Sequence, residues 1–139
     1  MKIPRSTLAA LLIGDVLAVL VVTMIGFATH YGEVRGLRWL SSFLPILVGW
    51  FALAPWLGVY RAETIFRPEQ VWRAGLAALL SAPLAATLRG LWLNSAISPV
   101  FVLVLAATNA LGFVVWRLIW TLLSRRAALP AGTEAKKTL

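Results

Sequence analysis

Cysteine is absent from the 139 residues. Its absence removes disulfides, thiolate nucleophiles, iron–sulfur clusters and cysteine-ligated zinc. There is one histidine, His30, so a histidine-based metal site or a Ser-His-Asp triad would have to be built around a single ring. Acidic residues are scarce too, five against thirteen Lys and Arg. No phosphate loop, dinucleotide fingerprint, HExxH or nucleophile-elbow serine occurs. Asp15 and His30 lie on one segment, but fifteen helical residues separate them by about 22 Å, too far for an acid–base pair. The expectation is a protein that is not an enzyme and holds neither metal nor cofactor.

What the chain has instead is apolar surface. Sixty per cent of its residues are hydrophobic, 13% are charged, and the mean hydropathy is +0.86. A soluble domain of this length hides only about two-thirds of its surface, so lipid is the better solvent for it. Four apolar runs, about 8–29, 39–60, 72–93 and 99–123, each approach the ~20 residues of a spanning helix. The first exceeds the roughly 7–15-residue core of a signal peptide and lacks a small-x-small cleavage site, so it is read as retained. The predicted fold is all-α: an integral membrane bundle of four transmembrane helices within residues 1–124. Residues 125–139 are expected to form a disordered basic tail.

The net charge of +8 sits at the ends of these runs, which points to lipid headgroups rather than nucleic acid. Lys2, Arg5, Arg61, Arg67, Arg73, Arg125, Arg126, Lys136 and Lys137 fall on one side, Arg35, Arg38 and Arg89 on the other. The positive-inside rule then puts both termini in the cytoplasm of a prokaryotic cell, with anionic headgroups as partners on that face. Tyr31, Trp39 and Trp92 mark the outer interface and Tyr60, Trp72 and Trp120 the inner one, while Trp50 falls near mid-membrane. Arg67-Pro68-Glu69 reads as a helix start.

Transmembrane helices associate through close packing at small residues. The third run carries Ala74, Ala78, Ala82 and Ala86 beside Ala77, Ser81 and Ala85, which predicts a central helix, although alanine is also simply a good helix former. Pro45 and Gly49 invite a bend in the second run. In the first, Asp15, Ala18, Val22, Gly26 and Thr29 share a stripe; in the fourth, Arg117 shares one with Phe113, Ala110, Ala106 and Leu103.

A carboxylate in such a run opposes insertion by ~2.5–3.5 kcal/mol and needs a partner. Asp15 and Arg117 both fall roughly 10 Å inside the cytoplasmic boundary on inward faces, so an ion pair is the natural solution. Alternatively Arg117 snorkels beside Trp116 and Trp120. If the pair is only a clamp, exchanging its two charges should restore what either single change loses. Near the outer surface Arg89, His30 and Glu33 make a second polar cluster, unless Arg89 simply reaches the headgroups. Thr23, Thr108 and Asn109 are the polar groups between, too few for an ion path; Asn109 is expected to hydrogen-bond across a helix interface.

These residues resemble a family of small prokaryotic membrane proteins known only as a domain of unknown function, over about Leu12 to Arg117. The carriers are Asp15, Gly26-x-x-x-His30, Pro45-x-x-x-Gly49-Trp50, Arg89, Phe101 and Trp116-Arg117. Phe27-Ala28-Thr29 departs from the family's more polar approach to its histidine. The resemblance implies a four-helix membrane protein, no activity, and interest in Asp15, His30, Arg89 and Arg117. Three functions compete. One is a non-catalytic accessory or oligomerising subunit acting through helix contacts, with a second copy or another membrane protein as partner. Another is a small proton- or ion-coupled transporter using Asp15, by analogy with small multidrug exporters; Arg117 beside it would hold Asp15 ionised, which argues against this. The third, pigment or lipid handling, rests on seven tryptophans that interface anchoring mostly explains.

Overall fold

A computed structural model describes residues 2–31 and 36–128. The helices are α1 (Arg5–Tyr31), α2 (Leu40–Leu53), the single turn α3 (Ala62–Ile65), α4 (Trp72–Leu93) and α5 (Pro99–Ala128), with a 3-10 turn at Pro68–Gln70. There is no strand among the described residues. Three segments are long and apolar enough to cross a membrane: Arg5–His30, Pro68–Leu93 and Pro99–Ala127. The fourth apolar helix, Leu40–Leu53, is shorter.

That shortening departs from the expected helix over 39–60. Pro55 brings no N–H to the ladder and Gly58 takes a left-handed φ of +70°, so the chain turns instead of continuing. The Val59 N–H closes the turn on the Ala54 carbonyl at 3.2 Å, and the Arg73 Nη1 donates to the Leu57 carbonyl at 3.2 Å. Tyr60, half-buried, is thereby turned back so that its hydroxyl reaches Asp15. The expected start at Arg67-Pro68-Glu69 is the 3-10 turn, one residue before α4. At the other end of the chain α5 runs through Arg125 and Arg126 to Ala128, not stopping at 123. Two arginines in a last turn complement the helix dipole. The rest of the expected tail, 129–139, lies outside the described residues.

α4 packs between α2 and α5, and α1 lies against α5 and α2. The alanine ladder explains the first arrangement: Ala74, Ala77, Ala78, Ser81, Ala82, Ala85 and Ala86 are all buried. On the α2 side Gly49 fits because a Cβ there would stand 2.9 Å from the Ser81 carbonyl oxygen. On the α5 side a Cβ at Gly75 would meet Val114 at 3.0 Å. Pro45 is buried inside α2 and Pro83 exposed inside α4, and both helices run through them. Asn94, in left-handed geometry with φ 47°, ends α4. Large residues face outward: Ile13, Leu17, Val21 and Ile25 on α1, and Leu111, Val115 and Leu122 on α5.

Candidate functional site

The deepest polar group is Asp15, with no exposed surface. It lies on α1 between Leu11 and Val19, on a stripe that α1 buries at every fourth position. Arg117 stands opposite on α5, and its Nη2 meets Asp15 Oδ2 at 2.8 Å. The pair expected from equal depth is thus formed, and Arg117, only 4% exposed, does not snorkel.

Three aromatic donors complete the carboxylate's shell. Trp116 Nε1 donates to Oδ1 at 2.9 Å; Tyr60 Oη and Trp50 Nε1 donate to Oδ2 at 2.5 and 3.2 Å. Trp50 Nε1 also reaches the Tyr60 hydroxyl at 2.8 Å. The Arg117 guanidinium lies 5.2 Å from the Tyr60 ring centre, a cation–π contact. Trp50 is wholly buried and stacks on Phe113 with centroids 3.5 Å apart. One carboxylate therefore ties α1 to α2, to the turn after it, and to α5. Gly14 makes room for this: a Cβ there would fall inside the Trp116 ring. Sequence reasoning saw Asp15 and Arg117 but read Tyr60 as an interface anchor and Trp116 as a snorkelling neighbour. A mid-membrane tryptophan, whose N–H must find an acceptor, was the signal for Trp50.

Among the described residues, Arg117 Nε and Nη1 have no hydrogen-bond partner. Beside Arg117 a chamber of about 10 Å³, lined in part by Thr64, Gln70 and Thr121, is the size of one water. Among the described residues no three His, Asp or Glu side chains approach closely enough to hold a metal.

At the far end of the helices Arg89 is half-buried. Its Nε donates to Ser42 Oγ at 3.0 Å and its guanidinium stands 4.6 Å from the Phe101 ring centre. His30 is exposed, and Glu33 lies outside the described residues. Between the two ends a cavity of about 670 Å³ lies along the α1–α5 contact, open past the exposed Leu17, Val21, Ile25 and Leu111, while Val22 packs on Gly112 within it. Gly26, expected as a packing residue, opens into it: nothing stands within 4 Å of where its Cβ would be. Ala18, Val22 and Thr29, the rest of the expected small-residue stripe, also line this cavity. Leu103 departs from its expected inward stripe and is 69% exposed. Asn109 is buried, but its Nδ2 donates to the Leu105 carbonyl of its own helix at 2.9 Å rather than across an interface.

No curated protein and no solved structure matches the chain. A profile for the family described as "Protein of unknown function (DUF3054)" matches residues 12–120. That stretch contains Asp15, all four donors that surround it and both walls of the cavity, and the chain belongs to this family.

Proposed function

We propose that the protein is a non-catalytic, four-times-threaded protein of a prokaryotic cytoplasmic membrane, with both termini inside, acting as an accessory or oligomerising subunit. The observation that carries this reading is the saturation of Asp15. A carrier carboxylate must release one partner to take another and must meet water from each side in turn. Asp15 is fully buried and held by four donors from three parts of the chain. Such a group fixes helices rather than exchanging protons.

With its charge spent internally, the chain offers its neighbours apolar helix faces. Ile13, Leu17, Val21 and Ile25 form an exposed row on α1 at the spacing of one helical face. Lateral contact at such faces is how membrane subunits recognise one another. Because the chain has no cysteine, single cysteines report cleanly. Leu17→Cys in native membranes should give a cross-linked dimer or a defined adduct with a partner. A protein that remains uncross-linked and monomeric there, or that shows Asp15-dependent proton-coupled flux in proteoliposomes, would refute the proposal.

A further inference from the structure

We infer that the turn after α2 seats the phosphate of an anionic phospholipid of the cytoplasmic leaflet, held by Arg61 and Arg73. The inference rests on the proposed threading and not on lateral contact. It begins with the length of α2. Its 14 residues rise about 21 Å, against a hydrocarbon core of about 30 Å. With Trp39 at the outer interface, α2 stops about 9 Å short of the cytoplasmic boundary. The Asp15 centre gives a like depth by a separate route. Tyr60, at the end of the turn, bonds a carboxylate placed roughly 10 Å inside that boundary. Residues 54–60 therefore leave the helix below the level of the headgroups.

Backbone that unwinds at such a depth needs partners from the protein. Arg73 supplies one, donating from Nη1 to the Leu57 carbonyl at 3.2 Å and from Nε to Gln70 Oε1 at 2.7 Å. Its third nitrogen, Nη2, makes no hydrogen bond among the described residues and is not sealed from its surroundings. Arg61 is exposed and folds back over Gly58, where a Cβ would stand 3.1 Å from its Cδ and Nε. The φ of +70° at Gly58 favours glycine there as well. The two arginines thus stand against one peptide, between Leu57 and Gly58. Among the described residues neither meets a carboxylate. Glu69 turns to Arg125 on α5 at 3.8 Å, and exposed Glu63 pairs with neither.

Two unpaired cations at the depth where acyl chains begin ask for an anion that arrives with lipid. A phosphodiester offers two free oxygens, which suit the forked donors of guanidinium groups. The neighbours suit the rest of the lipid. Trp56 is 85% exposed in the turn, and Trp72, 55% exposed, has its ring centre 5.0 Å from the Arg73 guanidinium. Exposed indoles at this level are at home among headgroups and the first acyl carbons. An acidic protein segment would have to reach below the headgroups to meet the same arginines.

The test uses the full-length protein in phosphatidylcholine nanodiscs. These carry a small fraction of lipid brominated on its acyl chains, either phosphatidylglycerol or phosphatidylcholine. Quenching of Trp56 is read as the difference between the wild type and Trp56→Phe. Phosphatidylglycerol should be preferred on the order of tenfold or more, and Arg61→Gln should cut that preference about fivefold. Arg61→Gln with Arg73→Gln should abolish it. Arg67→Gln with Arg126→Gln removes as much charge from the same face and should leave it unchanged. Equal loss in both double variants would mean a diffuse pull of positive charge on anionic lipid and would overturn the inference. A wild type indifferent to the two lipids would overturn it too, as would relief of the quenching by free glycerol phosphate. The exposed Arg61 variant decides the matter even if Arg73→Gln fails to fold. A nanodisc offers the same lipid in both leaflets. An inverted thread would therefore leave the preference in place, and a missing preference would leave the threading in place.

Discussion

An aspartate that accepts four hydrogen bonds in a dry interior answers to substitution through the donors it abandons. Asp15→Asn or Arg117→Leu breaks a buried pair, and each should destabilise the protein by about 3–5 kcal/mol, measured as unfolding in mild detergent. Exchanging the two charges should not rescue stability, contrary to what a bare clamp predicts. A cation at position 15 would face Trp50 and Trp116, whose indole N–H groups can only donate. Full recovery in the exchanged double variant would show that the aromatic donors are incidental. Tyr60→Phe keeps the ring under Arg117 but removes one donor to a charged acceptor, and should lose about 1.5–3 kcal/mol in the same assay. The ion pair was legible because depth and helical face can be counted along a sequence. Trp50 gave a signal in its mid-membrane place, but Trp116 and Tyr60 did not, since tryptophan and tyrosine near helix ends usually anchor to headgroups, and Tyr60 reaches Asp15 only through a turn.

Helix contacts divide into tight and open ones, and glycine substitutions should tell them apart. Gly49→Ala sets a methyl against the Ser81 carbonyl and Gly14→Ala sets one inside the Trp116 ring. Each should lower the melting temperature, by an overpacking cost of about 1–3 kcal/mol. Gly26→Ala meets open space, so an unchanged or slightly raised melting temperature is expected. A large loss there would mean that the cavity closes in the membrane. The central place of α4 was readable from its alanines, because small side chains on several faces permit close neighbours on several sides. The early end of α2 was not: hydropathy continues unbroken to Tyr60, and only Pro55 and Gly58 hint that the backbone leaves the helix. The cavity could not be foreseen either. A stripe of small residues marks a tight interface when the facing helix closes on it and a groove when it does not, and spacing alone is silent on which.

Across the whole molecule the basic residues predict orientation. Ala127→Cys should react with impermeant maleimide only from the cytoplasmic side, and Leu37→Cys only from outside. The reverse pattern, or labelling of both from both sides, would contradict the proposed threading. The Asp15 centre also imposes an order in time. Its carboxylate leaves the ribosome early, whereas Trp116 and Arg117 follow about a hundred residues later, roughly 5–20 s at ordinary rates of synthesis. Until then α1 holds an aspartate for which Trp50 and Tyr60 are the donors already made and the countercharge is not. Completion of the chain is thus what neutralises α1: a product cut short before Trp116 has donors for its carboxylate but no cation to pair with it.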